Sequence, residues 1–182
     1  MNNMIPVAMR VSKLNVLIVG FGKVGKRKAL KYRTAGANIT TVDPKVMDAD
    51  YNMDFTTYYK HYGIHFMKQH LVIICTDNHK SNADIALCCE QFAKLYNRTD
   101  QGEASLFTDM VTLEDEKALI AISSQEQSPY ISKHLRTIIK PYLESDQVQS
   151  EIKWLAEQTK EAKENHETYD DVMRRWRRLY ES

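Results

Sequence analysis

The segment Val16-Leu17-Ile18-Val19-Gly20-Phe21-Gly22-Lys23-Val24-Gly25 leaves a chain few ways to fold. Four consecutive apolar residues suit a strand covered on both faces, as in a parallel sheet. A glycine follows at once, and residues 23–35 then read as a helix that Gly36 can end in the left-handed conformation. In that setting Gly20 permits a tight turn, Gly22 lets backbone approach a pyrophosphate, and Gly25 lets helix and strand pack closely. The helix start adds unpaired N–H groups and a partial positive charge. Gly20, Phe21, Gly22, Lys23, Val24 and Gly25 are therefore candidate cofactor contacts. The plainer alternative is a turn that serves strand–helix packing alone. Asp43 favours the first reading, because it ends the second strand 18 residues past Gly25. There a carboxylate accepts hydrogen bonds from a ribose diol and repels a 2′-phosphate, so NAD is expected over NADP.

The rest of the first half repeats the theme. Ile39-Thr40-Thr41-Val42 is a strand stopped by Asp43-Pro44, and Leu71-Val72-Ile73-Ile74-Cys75 is another, ending at Thr76-Asp77-Asn78. Thr76 joins the cofactor candidates because ligands bind beyond the carboxyl ends of such strands. A helix follows with Ile85, Cys88, Cys89 and Phe92 on one face, and Leu95-Tyr96-Asn97 forms one more short strand. Residues 45–66 lack a clear period. Residues 104–111 and 118–122 are apolar runs expected as strands. They are too few to form a stable sheet alone, so pairing with a second copy is expected, giving a homodimer. Ser128-Pro129 looks like an N-cap with proline at the first helical position. Tyr169, Val172, Met173, Trp176, Leu179 and Tyr180 share one helix face. The expected fold class is α/β: an N-terminal Rossmann-like parallel sheet (1–103), short central dimerisation strands with a helix (104–143), and a helical C-terminal region (144–182).

Composition narrows the partners. A formal net charge of +1 offers no basic field, so nucleic acid is not expected. No apolar run approaches the roughly 20 residues of a membrane helix, and the first residues lack the pattern of a signal peptide. Three cysteines at 75, 88 and 89 form no disulfide framework, which points to a reducing, cytoplasmic setting.

Residues 4 to about 143 resemble the precorrin-2 dehydrogenase family of siroheme synthesis, some members of which also act as sirohydrochlorin ferrochelatases. The resemblance begins at Ile5-Pro6-Val7 and runs through the glycine turn into Lys26-Arg27-Lys28-Ala29 and Ala35-Gly36-Ala37. It resumes at Cys75-Thr76-Asp77 with Asn82, at Asn97-Arg98-Thr99-Asp100, and at Ala104-Ser105-Leu106-Phe107. Ile122-Ser123-Ser124, followed by Ser128-Pro129, closes it. Such proteins use NAD to oxidise precorrin-2, a tetrapyrrole, to sirohydrochlorin. Their central strands and the following helix usually build a homodimer. The resemblance makes Asp100 the proposed general base and puts Ser124 in the loop beside the tetrapyrrole. The chain departs from the family at Phe21, where a glycine is usual, and at Gly25, where a small residue is. It also departs at Gln125-Glu126-Gln127, where two glycines usually follow the serines, and near Thr108-Asp109, where a proline is common.

The residues themselves set limits on this chemistry. Asp100 lies just past a strand end, where ligands bind, but Thr99-Asp100-Gln101-Gly102 is also ordinary turn composition. A substrate rich in carboxylates calls for cations, and Lys133, His134, Arg136 and Lys140 on the helix after Pro129 are candidates. Arg174, Arg175, Arg177 and Arg178 read better as a solvated helix end. No metal site is expected: His61 and His65 flank Gly63 in a segment without helical pattern, and Cys88-Cys89 suits core packing. His79 follows a strand end and could reach the site, though Asn78-His79 is equally good turn composition. Two other readings stay open: an NAD-binding regulatory module without catalysis, and a bifunctional dehydrogenase and ferrochelatase.

Overall fold

The computed structural model describes residues 4–125 and 127–180, and the chain divides into two compact units, 1–109 and 110–182. The first unit is built on four parallel strands: β1 (Asn15–Val19), β2 (Asn38–Val42), β3 (Leu71–Ile74) and β4 (Leu95–Arg98), in the order β2-β1-β3-β4. The apolar runs explain why they are buried. Val16, Ile18, Leu71 and Ile73 face α1 (Lys23–Thr34), packing on Ala29 and Tyr32. Leu17, Val19, Val72 and Ile74 alternate to the opposite face, against α2 (Phe55–Met67) and α3 (His79–Gln91). A sheet covered on both faces has no solvent side on which polar residues could alternate. Gly36 ends α1 at φ 89°, as its position predicted.

Residues 45–66, unreadable as sequence, contain α2. Asp54 caps it by accepting the Thr57 N–H at 3.0 Å. The helix bends at Tyr62 (φ −125°, ψ 29°), beside Gly63, which breaks the period that would have revealed it. It is held by aromatic packing: Phe55, Tyr58, Tyr59 and Phe66 meet edge to face or stacked, with Tyr51 against Tyr58 at 4.9 Å. His61 and His65 thus do lie on a helix, contrary to the expectation. His65 Nδ1 is spent on the Tyr51 hydroxyl at 3.0 Å.

Residues 104–111 do not form the expected strand. A 3₁₀ turn occupies Gly102–Ala104, and the segment after it is bound piecemeal to the first unit. The Leu106 N–H reaches the Tyr96 carbonyl, the Asn97 amide reaches the Phe107 carbonyl, and Asp109 is gripped by Lys28, Lys31 and Tyr32. Backbone groups used this way cannot join a ladder.

In the second unit β5 (Val111–Glu114) starts where the expected strand ended and pairs antiparallel with β6 (Leu119–Ile122). Asp115 closes the hairpin by accepting the N–H groups of Lys117 and Ala118. Helices α4 (Pro129–Leu143), α5 (Asp146–Glu164) and α6 (Tyr169–Tyr180) follow. Ser128 caps α4 with Pro129 at its first position, as expected. The core is small: Leu113, Ile122 and Leu143, with Ile120, Ile139, Val148 and Ile152 against them. The α6 face read from sequence packs only in part. Val172 is buried and Trp176 stacks on Tyr180, whereas Tyr169 and Leu179 are exposed. Among the described residues no helix is long and apolar enough to cross a membrane.

Candidate active site

Parallel strands end together, so the carboxyl edge of the sheet gathers the glycine turn, Asp43, Thr76 and Asp100 from four strand ends. Gly20 takes φ 91°, and a Cβ there would sit 2.6 Å from the Cys75 carbonyl carbon, so β1 and β3 close on it without room for a side chain. A Cβ on Gly25 would lie 2.0 Å from the Gly20 carbonyl oxygen, which makes the packing role of the last glycine concrete. Gly22 differs: nothing lies within 4 Å of where its Cβ would be. This is the glycine that a bound pyrophosphate would need, with open space in front of it.

The head of α1 fits the same ligand. Its first helical hydrogen bond runs from the Lys26 N–H to the Gly22 carbonyl. The N–H groups of Lys23, Val24 and Gly25 have no partner among the described residues, and no acidic side chain stands in the first turn. Three unpaired donors on the positive end of a helix are an anion cradle.

Asp43 is buried, and its carboxylate ties the edge together. Oδ2 accepts the Phe21 N–H at 2.7 Å, while Oδ1 accepts the N–H groups of Lys45 at 2.8 Å and Val46 at 3.0 Å. Phe21 therefore contributes to the turn through Asp43, a link between residues 22 apart that the sequence did not reveal. Thr76 donates its hydroxyl to the Asn82 Oδ1, and the Asn82 amide returns a bond to the Thr76 carbonyl at 3.1 Å. Its backbone N–H flanks Gly20.

Asp100 stands past the end of β4. Arg98 grips it with two bonds, Nε to Oδ1 at 3.2 Å and Nη2 to Oδ2 at 2.9 Å. His79 Nδ1 lies 2.7 Å from Oδ2. Burial alone would raise the carboxyl pKa, but the bonds from Arg98, His79 and Asn82 outweigh it and hold Asp100 well below the usual carboxylate range. Sequence reasoning noted that His79 could reach the site but not its bond to Asp100, and it gave Arg98 no role; the only signal was their position at two strand ends.

The second unit carries the remaining candidates. Ser124 Oγ accepts the Ser128 N–H at 3.3 Å just before α4. Lys133, His134 and Arg136 are exposed on α4, with Arg136 Nε donating to the Thr112 carbonyl at 3.3 Å and Lys133 over the Tyr130 ring. Glu126 of the altered loop lies outside the described residues. Cys89 is fully buried, with burial first among the causes that push its thiol up to about 12, and Cys75 and Cys88 are half-buried and likewise raised. Among the described residues no three His, Cys, Asp or Glu side chains gather as a metal site.

Siroheme synthase 2 of Aeromonas salmonicida is 29% identical over 142 residues, covering 76% of this chain and 30% of the relative. Siroheme synthase of Acinetobacter baylyi is 30% identical over 141 residues, covering 74% and 31%. The chain thus spans about a third of the length of these curated relatives. Among solved structures, SirC, precorrin-2 dehydrogenase, shares the fold with a TM-score of 0.69 at 16% identity, covering 97% of this chain and 89% of that one. The model of the putative NAD(P)-binding family matches residues 7–108, more than half of the chain, and the chain belongs to that family.

Proposed function

We propose that the protein oxidises precorrin-2 to sirohydrochlorin with NAD as the oxidant. One observation carries the reading: an anion cradle at the head of α1 and a half-buried, charge-paired carboxylate at Asp100 stand on the same sheet edge. The fold shared with a precorrin-2 dehydrogenase and the siroheme synthase relatives support it.

The bound dinucleotide supplies the hydride acceptor. Lys23, Val24 and Gly25 hold its pyrophosphate through their N–H groups, with Gly20 and Gly22 keeping the approach clear and Phe21 holding the turn. Asp43 accepts a ribose hydroxyl on the lone pairs its backbone bonds leave free, which favours NAD over NADP. Thr76 lines the same edge, and Asp100 serves proton transfer. Ser124, Lys133, His134 and Arg136 offer a hydroxyl and cations suited to the carboxylates of a tetrapyrrole.

In functional terms residues 1–103 hold the cofactor, 104–143 build a homodimer, and 144–182 form the helical region. The dimer rests on α4, where Ile131, Leu135, Ile138 and Tyr142 recur at offsets of 4, 3 and 4 and are all exposed, with Leu119 exposed on β6. A one-sided apolar stripe of this kind is what a second copy covers. Three free thiols suit the cytoplasm.

The deciding assay incubates the protein with precorrin-2 and either NAD or NADP, and follows sirohydrochlorin by absorbance. Faster turnover with NAD is expected. Tight NAD binding without turnover would leave a binding module instead.

A further inference from the structure

The carboxylate read as the base is the wrong half of a pair to meet a substrate. The Asp100 side chain is 10% exposed and the His79 side chain, bonded to it, is 81% exposed. Both Asp100 oxygens are engaged by Arg98, and Oδ2 by His79 as well. A carboxylate held ionised by a guanidinium is a weak proton acceptor. An ionised carboxylate is acceptor-only, so the bond to His79 requires the proton on Nδ1. The neutral imidazole then carries its lone pair on Nε2, on the ring's outer side. The backbone beneath is fixed too: His79 is the first residue of α3, and Asn78 caps that helix by accepting the Ser81 N–H at 3.0 Å.

We propose that His79 Nε2 is the proton acceptor of the oxidation and that Asp100 is a positioning residue acting through it. This deepens the dehydrogenase reading and rests on it. One C–H bond of the macrocycle breaks and its electron pair leaves as hydride to the bound dinucleotide. A second hydrogen leaves as a proton to His79 Nε2, and the pair it leaves behind becomes the new double bond. The substrate loses two electrons and two hydrogens, and the imidazolium returns its proton to the solvent that its exposure admits. Asp100 stabilises that imidazolium at 2.7 Å, with Arg98 behind it. The other charges nearby are Lys80 on the same helix and Asp77 before it, which pairs with Lys45 at 3.8 Å from the loop after β2. The start of α3 opposes the imidazolium, so Asp100 is the group that makes protonation favourable.

The test uses His79→Asn, whose amide can still donate to Asp100 but has no base. Turnover should fall on the order of 100- to 10,000-fold with NAD affinity unchanged, the acid limb of the kcat/KM profile should vanish, and imidazole should restore activity to His79→Ala. In the free protein, nitrogen NMR should find the neutral ring protonated on Nδ1, and Asp100→Ala should release that tautomer by removing the acceptor of the Nδ1–H bond. His79→Asn within threefold of wild type while Asp100→Asn is dead would make Asp100 itself the base and overturn the proposal. A wild-type protein that binds NAD but never forms sirohydrochlorin would remove the dehydrogenase reading and this step with it. In that event nitrogen NMR still judges the pair: an unchanged His79 tautomer in Asp100→Ala would show that Asp100 does not act on the imidazole.

Discussion

The carboxyl edge of the parallel sheet and the α4 face of the second unit carry polar and apolar groups in opposite states. At the sheet edge almost every group is already partnered within the chain. Asp43 accepts three backbone N–H groups and Asp100 is gripped twice by Arg98, and elsewhere in the same unit Asp109 is clasped by Lys28, Lys31 and Tyr32. Among the described residues, the N–H groups of Lys23, Val24 and Gly25 at the head of α1 stand there without a partner. On α4 the pattern is inverted: Ile131, Leu135, Ile138 and Tyr142 stand exposed over a core of few buried residues. A region that satisfies itself leaves openings only where a ligand belongs, whereas a region with an uncovered apolar stripe is completed by another chain.

The sharpest way to break the first half of this contrast is Gly25→Ala. Its Cβ would overlap a backbone oxygen that no rotamer can move aside. A loss of about 3 kcal/mol in urea unfolding is expected, together with loss of NAD binding. Gly22→Ala meets no protein atom, so it should keep its stability and lose only cofactor affinity. Equal stability in both variants would contradict the packing account of Gly25.

The other half is tested on α4. Ile138→Asp places a charge on the exposed stripe of both copies, and the dimer should weaken more than about 100-fold, given roughly 1.5–3 kcal/mol for each buried aliphatic side chain. Sedimentation at micromolar concentration should show wild type at twice the monomer mass and the variant as monomer. A monomeric wild type would end the dimer assignment.

Acid should act on the self-paired region. Burial raises the Asp100 and Asp109 carboxyls, but Arg98, His79 and Asn82 for the first and Lys28 and Lys31 for the second together more than offset it, and both folded-state values lie below the ordinary one. The unfolded chain then takes up these protons first as pH falls. The stability they contribute is present above about pH 4 and is lost below it. In the Asp100→Asn, Asp109→Asn double variant the acid limb of stability against pH should flatten. An unchanged slope would mean these pairs contribute nothing.

How much of this was legible follows the range of the contacts. The strands and the glycine turn could be read because neighbouring residues carry the pattern, and Ser128-Pro129 announced α4. α2 stayed hidden because its bend at Tyr62 shifts the period and its stabilisation comes from aromatic contacts with Tyr51 and Phe92. The Asp109 clasp joins residues 81 apart in sequence, so nothing local marked 104–111 as a bound segment instead of a strand. The His79–Asp100 pair joins two strand ends 21 residues apart, and each half alone looked like turn composition.

The smallest expected effect lies in the loop after β6. Gln125 takes φ 52°, a left-handed conformation that favours glycine, at the position where the family it resembles usually has one. Gln125→Gly should raise stability by about 0.5–1 kcal/mol in thermal unfolding. A loss of stability would mean that the Gln125 side chain contributes more than its backbone costs.

The central claim is that one sheet edge holds the cofactor and handles the proton through different residues. The measurement that tests it most directly pairs NAD calorimetry with turnover in Asp43→Asn and Asp100→Asn. Asp43→Asn disturbs the turn at Phe21 and the ribose contact, so NAD affinity should fall while turnover at saturating NAD stays near wild type. Asp100→Asn should bind NAD as wild type does and lose nearly all sirohydrochlorin formation. If Asp100→Asn instead keeps most of its turnover, or if both variants lose NAD binding alike, the division of labour along that edge is contradicted.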